Sequence, residues 1–157
     1  MSLAALDWLP DSVCRWLPLP ADGELPALPD AEAALITGWA ERRRSHFIAG
    51  RACARAALAA LGHPGAAIGR SADGAPIWPT TVVGSIGHCA AGAVAITAST
   101  AHWAALGVDI EIDRVLPDDA AGYVLGAAER DRLAVLPGGL ARWGLAAFCA
   151  KECVHKC

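Results

Sequence analysis

Asp109 and Glu111 stand two residues apart in the run Gly107-Val108-Asp109-Ile110-Glu111. In a β-strand, residues i and i+2 point to one face, so both carboxylates converge while Val108 and Ile110 point into a core. Two neighbouring carboxylates repel and raise each other's pKa unless a cation holds them. Mg²⁺ suits such a pair, because it takes oxygen ligands and is commonly held by one or two carboxylates plus substrate phosphates. The same alternation marks a sheet with one solvated face, so the spacing alone leaves both readings open. Glu152 and Lys156, four residues apart, share one face of a helix. They read either as an i,i+4 ion pair or as a third metal ligand with a phosphate-binding lysine beside it. Lys151 lies about 100° round the helix from Glu152, open to a second phosphate oxygen or to solvent.

Further upstream, Arg44, Arg51 and Arg55 fall within about 40° of one another on a helix. Three guanidinium groups on one stripe make a phosphate cradle, because each offers paired donors; the alternative is a solvated basic face. His88 follows a strand and sits beside Gly87, where backbone can approach a ligand closely. It reads as a packed structural histidine or as a ligand contact. Trp78, in a loop stiffened by Pro76 and Pro79, either fills a core or lines a nucleotide pocket. Cys149, Cys153 and Cys157 recur at i, i+4 and i+8. One helix offers poor tetrahedral geometry, so small packed side chains are expected. Cys89 and His88 are adjacent on a strand and point to opposite faces, which argues against a nucleophile pair.

The elements that must position these groups read as α+β. Residues 10–30 are Pro-rich and suggest an extended arm with a short strand at Val13–Leu17. Asp30 is a plausible N-cap. A helical region follows over Ala31–Leu61, open to a break at Gly38 or Gly50 and ended by Gly62 and Pro64. After a loop with Gly69, Gly74, Pro76 and Pro79 come strands at Val82–Ile86 and Ala93–Ala98, and a third at Ala104–Ile112 bearing the acidic motif. Asp119–Leu136 reads as one helix, broken by Pro137-Gly138-Gly139. Leu140 to Cys157 reads as a second helix, still running at the last residue.

Composition narrows the class. Of the 157 residues, 55% are hydrophobic and 18% charged, enough to bury a core. A formal net charge of −3 argues against a general nucleic-acid binder. No apolar run reaches the length of a membrane span, and Met1–Pro10 lacks a signal peptide's basic start and apolar stretch. A cytoplasmic protein is expected, with its six cysteines reduced.

Gly-Val-Asp-Ile-Glu, followed some forty residues later by Phe148-Cys149-x-Lys151-Glu152-x-x-x-Lys156, is similar to the paired signature of the 4′-phosphopantetheinyl transferases. The likeness is nearer the enterobactin-synthase and Sfp type. Arg43-Arg44-x-x-Phe47-x-x-Gly50-Arg51-x-x-x-Arg55, Gly74-x-Pro76-x-Trp78-Pro79 and Gly84-Ser85-Ile86-Gly87-His88-Cys89 resemble further segments of that family. Cys149 stands where the family usually has Ser, and Gly87 where many relatives have Ser or Thr. The resemblance implies a pseudo-twofold fold of two α/β lobes, the first over residues 1–105 and an incomplete second opening at 106–157. It implies transfer of 4′-phosphopantetheine from coenzyme A to a serine of an acyl or peptidyl carrier protein, in siderophore, polyketide or fatty-acid synthesis. Asp109, Glu111 and Glu152 would hold Mg²⁺. Arg44, Arg51, Arg55, His88, Lys151 and Lys156 would position coenzyme A phosphates, with Arg70 on the 3′-phosphate. Glu152 or a metal-bound water would take the serine proton. No nucleic acid and no membrane span are expected, and a monomer is. Two other readings share these residues: a coenzyme A-binding fragment without turnover, and an unrelated metal-dependent phosphohydrolase.

Overall fold

The computed structural model describes residues 4–5 (backbone only), 9–19 and 24–157. Most of Met1–Pro10, and residues 20–23 of the expected arm, lie outside the described residues.

A four-stranded antiparallel sheet carries the fold, in the order β1-β2-β6-β5, with β1 at Ala4–Ala5, β2 at Ser12–Pro18, β5 at Val82–Cys89 and β6 at Gly92–Ser99. The central strand β6 is buried from Gly92 to Ala98 and serves two cores. Ala93 and Ala95, with Leu17 of β2, face helix α2 (Glu41–Ala60) and its Ala49, Cys53 and Leu58. Val94 and Ile96, with Cys14, face the opposite side. Small residues on α2 let helix and sheet approach closely, and each fully buried Leu or Ile in this layer contributes about 1.5–3 kcal/mol. The strands expected at Val13–Leu17, Val82–Ile86 and Ala93–Ala98 are all present, each slightly longer.

The helical region splits at Gly38, whose φ of 77° ends a short α1 (Asp30–Ala33) and a 3₁₀ turn (Ala34–Ile36). Asp30 is the first helical residue and Pro29 the N-cap, so the expected Asp30 cap is not formed. Gly50 breaks nothing: a Cβ there would lie 2.8 Å from Ile86 Cγ2, so its missing side chain is where α2 seats on β5. The expected loop contains a two-residue hairpin, β3 (Gly69–Arg70) with β4 (Pro76–Ile77). Glu32, 1% exposed, pairs with Arg55 and lies beside the Ile68 amide, tying α1, α2 and that hairpin together.

Ala104–Ile112 is not a strand. Leu106, Val108 and the partly buried Ile110 pack on the sheet face formed by Cys14, Val94 and Ile96. A segment laid across a face has no neighbouring strand to exchange ladder hydrogen bonds with. The alternation survives without the ladder. Two glycines permit the close passage: a Cβ on Gly87 would lie 3.1 Å from the Val108 carbonyl, and one on Gly107 would lie 1.9 Å from the Cys153 carbonyl. Asp119–Leu136 is two helices, α3 (Asp118–Val124) and α4 (Ala127–Ala134), because Gly126 caps α4 and its N–H donates to Glu129. Gly138 and Gly139, with φ of 89° and 55°, turn the chain into α5 (Gly139–His155).

Candidate functional site

A cavity of about 950 Å³ opens between α2, the β3–β4 hairpin, β5 and the segment leading out of the acidic motif. Five arginines line it, Arg42, Arg43, Arg51, Arg70 and Arg114, against a single carboxylate, Glu111. Such an excess of one sign in a concave site concentrates anions. The arginines interleave with aromatic rings. The Arg43 guanidinium lies 3.9 Å from the Trp39 ring centre and that of Arg70 5.5 Å from it. Trp39 meets Phe47 edge-on at 5.5 Å, and Arg51 lies 4.8 Å from the Phe47 ring. Stacking of this kind holds planar guanidinium groups in place while leaving their N–H donors for phosphate oxygens. Arg51 is 3% exposed and donates to the carbonyls of Ile68 at 2.6 Å and Gly69 at 2.9 Å. It therefore locks the hairpin that carries Arg70 against α2.

Two imidazoles face each other on the cavity wall. His46 of α2 and His88 of β5 have ring centres 4.8 Å apart. Both are held below the ordinary histidine value. For His46 the cause is loss of solvent, then Arg42. For His88 it is loss of solvent, then His46 and Lys156, against a weaker opposing pull from Asp109.

Beside the cavity lies the acidic motif. The Asp109 side chain is 8% exposed; its Oδ1 accepts from Lys156 Nζ at 2.6 Å, and the same ammonium donates to the Val108 carbonyl at 3.2 Å. No donor meets its buried Oδ2 at full hydrogen-bond geometry, and the Cys149 thiol gives this carboxylate only a weak hydrogen bond. A buried carboxylate oxygen left without a donor is costly unless a cation or donor joins it. Glu152 is half-buried and makes no side-chain hydrogen bond or ion pair among the described residues. No group of three or more His, Cys, Asp or Glu is placed to hold a metal ion among the described residues. The under-satisfied Oδ2 and the all-carboxylate set of Asp109, Glu111 and Glu152 nonetheless have the chemistry Mg²⁺ takes. Cys149 borders the motif; burial first, then its hydrogen bond to Asp109 and the Asp109 and Glu111 charges, push its thiol up to about 12, so it stays protonated.

The fold brings Arg51, Arg70, His88 and Glu111 to one cavity, with Asp109 and Lys156 adjoining it. It does not bring Arg44, Arg55 or Lys151 there. Arg44 borders a separate hollow of about 430 Å³. Arg55 is engaged by Glu32. Lys151 donates to Glu129 at 2.6 Å and to the Val124 carbonyl at 2.7 Å, holding α5 to α4. Trp78 packs with the core between sheet and α2, its ring against the open face of Gly84. Trp39, Arg42, His46 and Arg114 line the cavity and were not singled out by the sequence, and Arg43, quoted only as part of a segment, lines it too. Arg42, Arg43 and His46 share the α2 face marked by Gly50, at i+4 and i+7 spacings, and that glycine was the available signal. No cysteine forms a disulfide among the described residues. No described helix is long and apolar enough to cross a membrane.

Residues 31–98 match the 4′-phosphopantetheinyl transferase N-terminal domain, and residues 105–157 match the 4′-phosphopantetheinyl transferase superfamily. The chain is 42% identical over 126 residues to 4′-phosphopantetheinyl transferase Npt of Nocardia iowensis, covering 80% of this chain and 56% of that protein. It is 39% identical over 133 residues to 4′-phosphopantetheinyl transferase PptT of Mycobacterium tuberculosis, covering 84% and 58%. It is 39% identical over 127 residues to 4′-phosphopantetheinyl transferase Svp of Streptomyces mobaraensis, covering 80% and 52%. The chain spans about half the length of the curated relatives it matches. Both matched regions are described as 4′-phosphopantetheinyl transferase, together they span most of the chain, and the chain belongs to that family.

Proposed function

We propose that the protein transfers 4′-phosphopantetheine from coenzyme A to a serine of an acyl or peptidyl carrier protein, in the cytoplasm and with Mg²⁺. The observation that carries this reading is the arginine–aromatic cavity lined by Glu111 of a motif whose buried Asp109 Oδ2 lacks a strong donor. A cation-rich wall beside an acidic one suits a phosphate-dense ligand that arrives with a divalent metal. Residues 1–105 would supply the coenzyme A wall and residues 106–157 the acidic one.

Arg43 and Arg70, stacked on Trp39, are placed to hold a phosphate group, and His88 donates to another. Asp109, Glu111 and Glu152 would hold Mg²⁺. When bound, that ion supplies electrostatic stabilisation to the phosphoryl group and to the departing 3′,5′-adenosine bisphosphate. Lys156 adds a second positive charge at the same edge. The Glu152 carboxylate is this chain's own candidate to take the proton from the carrier serine hydroxyl as its oxygen bonds to phosphorus. A siderophore or polyketide carrier is the expected class of acceptor.

Incubation with coenzyme A, Mg²⁺ and a carrier protein, followed by mass measurement of the carrier, tests this. The carrier gains one phosphopantetheine with the wild-type protein and none with Asp109→Ala. Full transfer by Asp109→Ala overturns the assignment. Calorimetry with coenzyme A alongside separates the neighbouring reading: binding without turnover identifies a coenzyme A-binding fragment.

A further inference from the structure

We propose that His46 is a second imidazole of the ligand site, placed to donate to a phosphate oxygen beside His88, so that binding of a phosphate-dense ligand draws a proton onto His46. The proposal rests on the coenzyme A reading above. It concerns a residue that neither the motifs nor the family resemblance singles out.

His46 projects from the α2 face seated on β5 and lines the same cavity as Arg43, Arg70 and His88. Its ring stands 4.8 Å, centre to centre, from that of His88, too far for a stacked sandwich of closed rings and near enough for one oxygen to reach both. The charged and titratable groups round it are Arg42 and Arg43 on its own helix, His88 on β5, and Arg70, Glu111 and Arg114 across the cavity. Lys156 and Asp109 act on its neighbour His88. Loss of solvent, then Arg42, holds this ring below the ordinary histidine value in the ligand-free chain, and cations dominate the rest of the set.

Entry of phosphate reverses the local field. The ligand neutralises the arginines and places negative oxygens against the ring, which favours the imidazolium. A neutral imidazole offers one N–H donor and an imidazolium two, so protonation also adds a hydrogen bond. The sign follows from linkage. The bound state holds more protons on His46 than the free state between the depressed free value and the raised bound one. Affinity therefore rises as pH falls through that window, by at most about tenfold per pH unit for one proton.

Calorimetry of coenzyme A binding in buffers of different ionisation enthalpy reads the proton count directly. The ligand's own phosphate releases a fraction of a proton on binding in every variant, so the difference between proteins is the readout. Between pH 6.5 and 7.5 the wild-type protein takes up more protons than His46→Gln, and its affinity falls more steeply with rising pH. An NMR titration of His46 in the wild-type protein, with and without coenzyme A, needs no variant; its midpoint moves up on binding. Equal proton counts in the two proteins, or an unmoved His46 midpoint in the coenzyme A complex, overturn the proposal while leaving the coenzyme A reading intact. Absence of any coenzyme A binding by the wild-type protein overturns that reading, and this proposal with it.

Discussion

The two halves of the molecule hold their functional groups by different means. In the first, up to Ser99, strands exchange full ladders and α2 buries an alanine-rich face on them, so Arg51, Arg70 and His88 stand on a hydrogen-bonded frame. In the second, the acidic motif has no ladder. Leu106 and Val108 moor it to the sheet face, two glycines let it pass, and one ammonium holds Asp109. The helices beyond it are shallowly buried: α4 has no buried residue and α5 buries Gly144 and Leu145. The cationic wall is thus preformed, whereas the acidic wall is held partly by a charge pair that a bound metal can replace.

The contrast can be broken from either side. The larger effect is expected in the frame. Arg55→Ala strands the Glu32 carboxylate, 1% exposed, without its cation, and a broken buried pair costs about 3–5 kcal/mol. Thermal or urea unfolding reads the loss, and below the transition coenzyme A affinity stays at the wild-type value, because Arg55 is spent on the fold. A weakened affinity with unchanged stability makes Arg55 a ligand residue and dissolves the contrast.

A smaller, local effect is expected in the second half. A methyl group at Gly107 would lie 1.9 Å from the Cys153 carbonyl, so the backbone must give way. Overpacking of this kind costs about 1–3 kcal/mol. In Gly107→Ala, amide exchange accelerates across residues 106–112, while protection in β2 and β6 is unchanged. Global loss of protection shows instead that the motif is an integral part of the frame.

Much of this was legible in the residues. β2, β5 and β6 follow from β-branched and alternating runs between turn residues, and Gly38, Gly62 and Gly138 mark real chain reversals. The alternation of the acidic motif correctly put Val108 and Ile110 inward. Whether such a segment becomes a strand depends on an edge to pair with, and no local pattern encodes that. The arginine stripe shows the same gap. Spacing groups Arg44, Arg51 and Arg55, but which face of α2 meets the cavity is set by Gly50 fitting against Ile86, thirty-six residues on. Only Arg51 sits at the margin of both faces. Lys151 sits in a segment that resembles a family signature, yet Glu129 and the Val124 carbonyl occupy its ammonium, and these stand on two helices, α4 and α3, where the sequence pattern predicts one.

The central claim is that the arginine cavity and the acidic motif serve one ligand. The direct measurement is calorimetry of coenzyme A binding with and without Mg²⁺, in the wild-type protein and in Asp109→Ala. Mg²⁺ is predicted to tighten wild-type binding by about 5–150-fold, the usual span for two coupled ligands. In Asp109→Ala the arginines still bind coenzyme A and Mg²⁺ adds nothing. An equal Mg²⁺-dependent gain in both proteins contradicts the account, because the metal would then bind coenzyme A without the acidic motif.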